Sequence, residues 1–189
     1  SNTIDIGQNA VENEGCIWKD LNSVITGADL ANSIGYNDDN GYAAELELDG
    51  TTISGFSTGI YKTTSGSLFM TGGATITAGT NGIGVHTEDI DVRIIDALVD
   101  GGTTGTGMLI EDSSYAWVYP LDVSGNIGLH TKNTELLWEG GNVNADTVLM
   151  AESTTGTVES LADTGTGTQV NAGTDTLLTV IDYPLIEAR

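Results

Sequence analysis

Basic residues are scarce in this chain, and their scarcity excludes a first class of partner. Five Lys and Arg residues stand against 27 Asp and Glu residues over 189 positions, which leaves a formal net charge of −22. Nucleic acid binding needs basic side chains for the phosphates, so we expect no nucleic acid partner. Anionic membranes and polyanionic sugars are disfavoured for the same reason. This balance is typical of a solvated acidic surface on a secreted protein.

Cysteine and long apolar runs are missing as well. The single cysteine, Cys16, can form neither an internal disulfide nor a thiolate metal site, and we interpret it as a small buried apolar residue. No apolar run is long enough to span a bilayer, which predicts no membrane insertion. The chain starts at Ser1 with neither an initiating Met nor a signal peptide. We therefore expect a processed or excised piece of a longer protein.

Proline is nearly absent, with two residues, whereas glycine is abundant, with 26. Glycine permits tight corners and the frequent threonine favours strands, so short strands joined by turns are expected. The best helical periodicity, from Lys19 to Ile34, is interrupted by Gly27. Six stretches instead repeat the same internal order every 18 to 25 residues or so, which indicates a solenoid.

Each repeat has an alternating apolar first strand, a short second strand and a third strand that mostly starts with glycine. Alternation places every other residue of the first strand inside. The predicted inner residues are Leu46/Leu48, Leu68/Met70, Val92/Ile94, Ala116/Val118, Leu136/Trp138 and Val158. The clearest third strands are Gly59-Ile60-Tyr61, Gly84-Val85-His86, Gly107-Met108-Leu109 and Gly128-Leu129-His130.

This three-part repeat resembles the right-handed parallel β-helix of the pectin-lyase-like superfamily. The resemblance covers residues 44–174 and implies an all-β solenoid of about seven coils, with three short strands per coil. It points to no specific enzyme family. A β-sandwich built from the same short strands is the alternative fold.

We expect one domain with three parts. Residues 1–43 form an N-terminal cap and a first irregular coil, in which Trp18 and Leu21 cover the first regular coil. Residues 44–174 form the coils, and residues 175–189 form the last coil and a C-terminal cap or linker.

The resemblance raises an enzymatic hypothesis that the residues do not support. Pectate-type lyases use a basic residue, usually with calcium, but Arg93 is the only Arg of the repeats and no Lys or Arg stacks near it. The Asn-Thr-Asp, Asp-Asp and Gly-His-Gly elements of galacturonan hydrolases are not found in register. We therefore assign no catalytic residue and lean towards a protein that is not an enzyme.

One outward row breaks the polar pattern of the surface. Alternation in the first strand places Phe69, Arg93, Trp117 and Leu137 outside, one above another, with Tyr115 and Tyr119 flanking Trp117. Exposed aromatic residues beside Arg and acids suit sugar rings or another subunit. Three interpretations stay open: cover by the chain itself, for example by residues 36–43, a protein interface, or a glycan platform.

A second outward column contains Tyr61, His86 and His130, from equivalent positions of the third strands. The two histidines lie two coils apart, too far to coordinate one metal ion together. We interpret them as a surface ladder, with a ligand-contacting column as the alternative. No cofactor is expected apart from calcium, for which the oxygen-rich turns supply weak candidate ligands. These candidates are Asp38, Asp39, Glu88, Asp89 and Asp91.

The sequence thus predicts a non-catalytic structural or adhesive module of a larger secreted or cell-surface protein. Its partner would be a glycan, bound through the outer aromatic face, or another surface protein, and the sequence also allows a homo-oligomer. The alternative is a fragment of a polysaccharide-processing enzyme, either a lyase, a glycoside hydrolase or a tail-spike-like depolymerase.

Overall fold

The structure is a computed structural model of the 189-residue chain, and it describes residues 9–12, 17–39, 44–64, 66–159, 161–163 and 168–181. Cys16, for which we predict burial, lies outside these residues. Within the described ranges every regular element is a β-strand, and no helix occurs. The segment from Lys19 to Ile34 belongs to two strands, because pairing with the following coil outweighs its weak helical periodicity.

The described residues form eighteen strands, which divide between two parallel sheets. In chain order they are β1 (Asn9–Glu12), β2 (Trp18–Leu21), β3 (Val24–Asp38), β4 (Ala44–Asp49), β5 (Thr52–Thr63), β6 (Gly66–Thr71), β7 (Ala74–Glu88), β8 (Asp91–Ile94), β9 (Ala97–Asp100), β10 (Thr106–Glu111), β11 (Ala116–Val118), β12 (Leu121–Lys132), β13 (Glu135–Glu139), β14 (Asn142–Glu152), β15 (Thr155–Glu159), β16 (Ala162–Asp163), β17 (Thr168–Ala172) and β18 (Leu177–Ile181). Sheet 1 contains the eight strands β2, β4, β6, β8, β11, β13, β15 and β18, and sheet 2 contains the other ten.

The chain passes alternately through the two sheets, and each strand pairs in parallel with its equivalent in the next coil. The result is a parallel β-solenoid of about six turns, close to the predicted seven. The predicted fold class is confirmed. The β-sandwich alternative is wrong, because its strands would pair largely antiparallel.

The predicted second and third strands of a coil are joined in most turns. β5, for example, includes both the Ile53-Ser54-Gly55 and the Gly59-Ile60-Tyr61 segments. Its pairing with β7 shifts register on both sides of Phe56, and Gly55 has a positive φ of 75°. Only glycine adopts such a conformation without a steric cost. The strand therefore bends while its ladder continues, whereas the two segments form separate strands at β9 and β10 and at β16 and β17.

The interior follows the predicted inner rows. Every predicted inner residue of the first strands, from Leu46 to Val158, is at most 1% exposed. Burial of one such aliphatic side chain contributes about 1.5–3 kcal/mol to folding. The core is thus a stack of apolar layers, and neighbouring residues of the same strands are forced outside.

A column of buried glycines explains why the third strands start with glycine. It consists of Gly35, Gly59, Gly84, Gly107 and Gly128. A Cβ atom at Gly84 would lie 2.5 Å from Cγ1 of Val99 and 2.6 Å from the carbonyl oxygen of Gly107. Real Cβ atoms do not approach this closely, so the stacking of successive coils requires glycine here.

Left-handed residues stack at the corner that leads from sheet 2 back to sheet 1. Asp89, Asp112 and Asn133 have φ values of 55°, 52° and 47° there, a region that Asp and Asn tolerate better than most residues. The backbone N–H of Asp89 donates to the carbonyl of Glu111 at 3.0 Å, and that of Asp112 to the carbonyl of Lys132 at 2.9 Å. Each corner is therefore bonded to the next coil, which keeps the outer columns of both sheets aligned.

The N-terminal residues already take part in the stack. β2 pairs with β4, and β3 pairs with β5, so both belong to the two sheets. The Trp18 ring lies 6.3 Å from the ring of Tyr36, whereas Leu21 is 62% exposed. Leu21 therefore does not cover the first coil. The division of the chain at residues 43 and 174 stays a prediction.

Candidate functional site

The outer row of sheet 1 forms in the predicted register. Phe69 of β6 pairs with Arg93 of β8, Arg93 pairs with Trp117 of β11, and Trp117 pairs with Leu137 of β13. Arg93 is exposed and the other three side chains are half-buried. We call these four residues the aromatic column. They form a continuous ladder because the inner residues of the same strands fill the core.

The aromatic column continues towards the N-terminus through two residues that sequence reasoning missed. Glu47 of β4 pairs with Phe69, and Lys19 of β2 pairs with Glu47. The Lys19 ammonium donates a hydrogen bond to the Glu47 carboxylate, and this bond is the main reason that the pKa of Lys19 is raised. The alternation of Leu46 and Leu48 was the signal that could have placed Glu47 in this column.

A groove of about 470 Å³ lies over the first part of this face. It runs between the aromatic column and the outward residues that precede the column by two positions in the sequence. Its outward-facing lining residues are Glu45, Glu47, Ser67, Phe69, Asp91, Arg93 and Tyr115. The groove thus includes three of the six residues predicted for the aromatic face. Trp117, Tyr119 and Leu137 do not line it and lie further along the same face.

The chemistry of the groove combines ring surfaces with charged groups at the rim. Among the described residues, the Arg93 guanidinium has no hydrogen bond or ion pair. One carboxylate oxygen of Asp91 accepts a hydrogen bond from the Ser114 hydroxyl at 2.6 Å. The Phe69 and Tyr115 rings supply apolar surface between these polar groups. Apolar walls with a few fixed polar groups are typical of small-molecule sites, and aromatic rings suit the apolar faces of sugars.

Beyond the groove, the aromatic face is held by its own hydrogen bond. The Trp117 indole N–H donates to the Glu139 carboxylate at 3.3 Å, and Tyr119 is 48% exposed. One interpretation of the sequence is that residues 36–43 fold over this face. Residues 36–38 do not cover it, because they belong to β3 in sheet 2. Residues 40–43 lie outside the described residues.

The outer row of sheet 2 contains the predicted histidine column in register. Tyr61, His86, Leu109 and His130 occupy successive strands, and Met150 follows. The Tyr61 and His86 rings lie 5.0 Å apart and are tilted by 55°. Both histidines have an acidic partner on the next coil. His86 Nε2 lies 2.7 Å from a Glu111 oxygen, and His130 Nε2 lies 2.9 Å from a Glu152 oxygen.

Glu111 connects the histidine column to a lysine. The Lys132 ammonium donates to its second oxygen at 2.8 Å. Partial burial raises the pKa of Glu111, but the hydrogen bonds from Lys132 and His86 outweigh it, so the pKa is lowered overall. The same Glu111 bond raises the pKa of Lys132. Partial burial, with nearby carboxylates, raises the pKa of Tyr61. His86, Glu111 and Lys132 thus satisfy one another's polar groups. The choice between a surface ladder and a ligand-contacting column stays a prediction.

The predicted calcium ligands are not brought together. Asp38 is buried inside the solenoid, where it accepts a hydrogen bond from Lys62 at 2.8 Å, whereas Asp39 is exposed. Glu88 and Asp89 are exposed at a corner of sheet 2, and Asp91 belongs to sheet 1. No three His, Cys, Asp or Glu residues converge on one point anywhere in the described ranges. Calcium binding at these residues stays a prediction.

A second hollow of about 480 Å³ lies at the corner where the chain passes from sheet 1 to sheet 2. It contains Asp96, Leu98, Asp122 and Asn142 among its lining residues. One Asp122 oxygen accepts hydrogen bonds from both the backbone and the side-chain N–H groups of Asn142, each at 2.8 Å. Asp122 and Asn142 thus bond each other across two coils. No aromatic side chain of the described residues lines this hollow.

Nothing helical in the described residues has the length and apolar character that a membrane span requires. No protein-family model matches the chain, and comparison with curated proteins and with solved structures finds no match either.

Proposed function

We propose that this chain is a non-catalytic adhesive or structural module of a secreted or cell-surface protein, and that it binds glycan along sheet 1. The parallel solenoid and its stacked apolar core supply a rigid rod with two sheets whose outer faces are available to a ligand. We also infer kinship with the right-handed β-helices of the pectin-lyase-like superfamily. This rests on the parallel coils and on the glycine-led third strands, and not on any catalytic motif.

The observation that carries the proposal is the groove beside the aromatic column. Phe69 and Tyr115 give it ring surface, and Arg93 offers a cation without a partner among the described residues. Glu45, Glu47 and Asp91 give it acceptors for hydroxyl groups. This combination suits a sugar, which presents apolar ring faces and a rim of hydroxyl groups at once.

The negative charge of the chain favours a neutral glycan over an acidic one. The chain carries a formal net charge of −22, and three of the seven outward lining residues of the groove are acids. A polyuronate would be repelled by this field, whereas a neutral oligosaccharide would not. The carboxylates then act as hydrogen-bond acceptors and not as partners of a charged ligand.

The experiment is a titration of the purified chain with neutral oligosaccharides and with uronic-acid oligosaccharides, followed by calorimetry. We expect binding of a neutral oligosaccharide that Tyr115→Ala weakens by about fivefold, because loss of one ring contact removes on the order of 1 kcal/mol. His86→Ala on sheet 2 is the matched control and should bind like the wild type. Equal loss in both variants, or no binding of any neutral oligosaccharide, would contradict the proposal.

Two further outcomes identify the alternatives. Shortening of the oligosaccharide during the titration would show a polysaccharide-processing enzyme, since acids line the groove. Concentration-dependent self-association that Tyr115→Ala abolishes would instead show a protein interface on this face. Light scattering on the free chain separates that outcome from glycan binding.

A further inference from the structure

An ion pair lies inside the solenoid, in a position where apolar side chains are expected. Asp38 of β3 and Lys62 of β5 are register partners on adjacent coils, and both side chains point into the core. The Lys62 side chain is 0% exposed and that of Asp38 is 1% exposed. The Lys62 Nζ atom lies 2.8 Å from Oδ2 of Asp38. An amine and a carboxyl group are therefore held in contact, away from water.

One oxygen of this buried carboxyl group lacks a hydrogen-bond donor in the described part of the chain. Oδ1 of Asp38 has no hydrogen-bond partner among the described residues. Thr87, the register partner of Lys62 on the next coil, is also fully buried, and its hydroxyl finds no partner in the same part of the chain. Buried carboxylates normally accept several hydrogen bonds, whereas one oxygen of Asp38 accepts none from the described residues.

A second lysine–acid pair on the same sheet provides a natural comparison. Glu111 and Lys132 are also register partners on adjacent coils, and Lys132 Nζ also lies 2.8 Å from a carboxylate oxygen. Their side chains are 22% and 38% exposed, and His86 bonds the other Glu111 oxygen. Water and a second partner hold that pair in its charged form. The two pairs differ in burial and not in contact distance.

We propose that Asp38 and Lys62 condense into an intramolecular amide that links two neighbouring coils. A proton passes from the Lys62 ammonium to the Asp38 carboxylate, which leaves a neutral amine and a neutral carboxylic acid. The Nζ lone pair then forms a bond to Cγ of Asp38. A second proton moves from Nζ to the departing hydroxyl group, the Cγ–O bond breaks, and one water molecule leaves. Neither group is oxidised or reduced, and no co-reactant is consumed.

Two physical effects favour this reaction at Asp38, and only the first of them distinguishes Asp38 from Glu111. Transfer of the proton replaces two buried ions with two neutral groups, which an apolar interior favours. Contact between the two groups, which both pairs share, also corresponds to an effective concentration on the order of 10⁵ M or more when the orientation is good. The amide would close a loop between residues 24 positions apart, which restricts the unfolded chain as a disulfide does. This inference does not depend on glycan binding.

The test is the intact mass of the purified, denatured chain. We expect the folded wild type to be lighter than its sequence by one water molecule, and Lys62→Arg and Asp38→Ala to have their full calculated masses. Asp38→Asn should form the same amide with loss of ammonia in place of water. Lys132→Arg, the control from the exposed pair, should keep the mass deficit of the wild type.

Peptide mapping locates the bond. We expect trypsin to leave Lys62 uncut, so that residues 38 and 62 stay in one tryptic peptide, 20–93, which is lighter than its sequence by one water molecule. Cleavage after Glu45 and Glu47 should then open the loop and leave two peptides joined through residues 38 and 62. A wild-type chain with its full calculated mass after prolonged incubation in the folded state would overturn the proposal. A mass deficit that maps to any other pair would overturn it as well. Both readouts use the wild-type chain, so neither depends on whether the core variants fold.

Discussion

The outer columns of the two sheets are built from similar residues and differ in what their neighbours supply. On sheet 2, His86 and Lys132 both bond Glu111, and His130 bonds Glu152, so the column meets its own polar requirements. On sheet 1, Arg93 has no such partner among the described residues, and a groove opens beside it. The types of residue in an outer column therefore do not by themselves indicate that the column binds a ligand. Partners on the next coil decide whether a charged side chain is available to a ligand.

The physical origin of this difference is the register of the strands. On sheet 2 the acid sits on the coil after each histidine, within reach of its ring. On sheet 1 the direct neighbours of Arg93 are Phe69 and Trp117, which offer faces and no carboxylate. An exposed cation between two aromatic residues suits recognition of a ligand better than it suits stabilisation of the fold. Four variants test this contrast.

The largest effect should come from a change that disturbs both columns at once. Gly84→Ala places a methyl group 2.5 Å from Val99 and 2.6 Å from the backbone of Gly107. We expect it to lower the free energy of unfolding by about 1–3 kcal/mol, because the coils cannot separate without loss of register. Urea denaturation measures this. Thr77→Ala, from an outward position of the same strand, should change stability far less, and a similar loss in both would refute the steric explanation.

Arg93→Gln should weaken binding of a neutral oligosaccharide by up to about tenfold, since a hydrogen bond from a charged group contributes about 1.5–3 kcal/mol when fully desolvated and less here. Stability should hardly change, because Arg93 bonds no described residue. Lys132→Gln is the matched control on sheet 2 and should have the opposite profile, with unchanged binding and lower stability. Calorimetric titration and urea denaturation of both variants measure the two effects. Similar changes in both variants would contradict the proposed difference between the two sheets.

Glu111→Gln should alter the pH dependence of stability. The pKa of Glu111 lies below its ordinary value of 4.5 in the folded chain, so its contribution is present above about pH 4.5 and is lost as pH falls through the lower folded pKa. We expect a loss of about 0.2–1 kcal/mol at pH 7 that disappears towards pH 3. Urea midpoints over this range measure it. A constant difference at all pH values would mean that packing, and not charge, holds the column together.

The smallest effect should follow from His130→Ala. Its partner Glu152 has a side chain that is 50% exposed, and no lysine of the described residues forms a hydrogen bond with that acid. We expect a change in unfolding free energy within about 0.5 kcal/mol, well below that of Lys132→Gln. A larger loss would show that the ladder works as one unit from Tyr61 to Glu152.

Much of this architecture could be predicted because alternation is a local property of a strand. Leu68 and Met70 had to face inside together, which left Phe69 outside, and the same reasoning placed Arg93 and Trp117. The extent of the groove could not be predicted in this way. It does not reach Trp117. The lining residues come from four successive coils, and no pattern within one strand determines how their side chains enclose a groove.

Asp38 shows where local reasoning fails. A run of Asn and Asp around it indicated an exposed turn and a candidate calcium ligand, yet its side chain is 1% exposed. Lys62, 24 residues later, arrives beside it only when the two coils stack in register. No pattern within either segment contains that contact.

The order of the residues along the chain is sufficient to establish the repeated strands, the apolar inner rows and the identity of both outer columns, since alternation and glycine placement act within one coil. Stacking in three dimensions decided the rest. It joined the second and third strands, gave each histidine its acid, left Arg93 beside a groove and buried Lys62 against Asp38. These features depend on which residue of one coil lies above which residue of the next, and strand pairing alone sets that register.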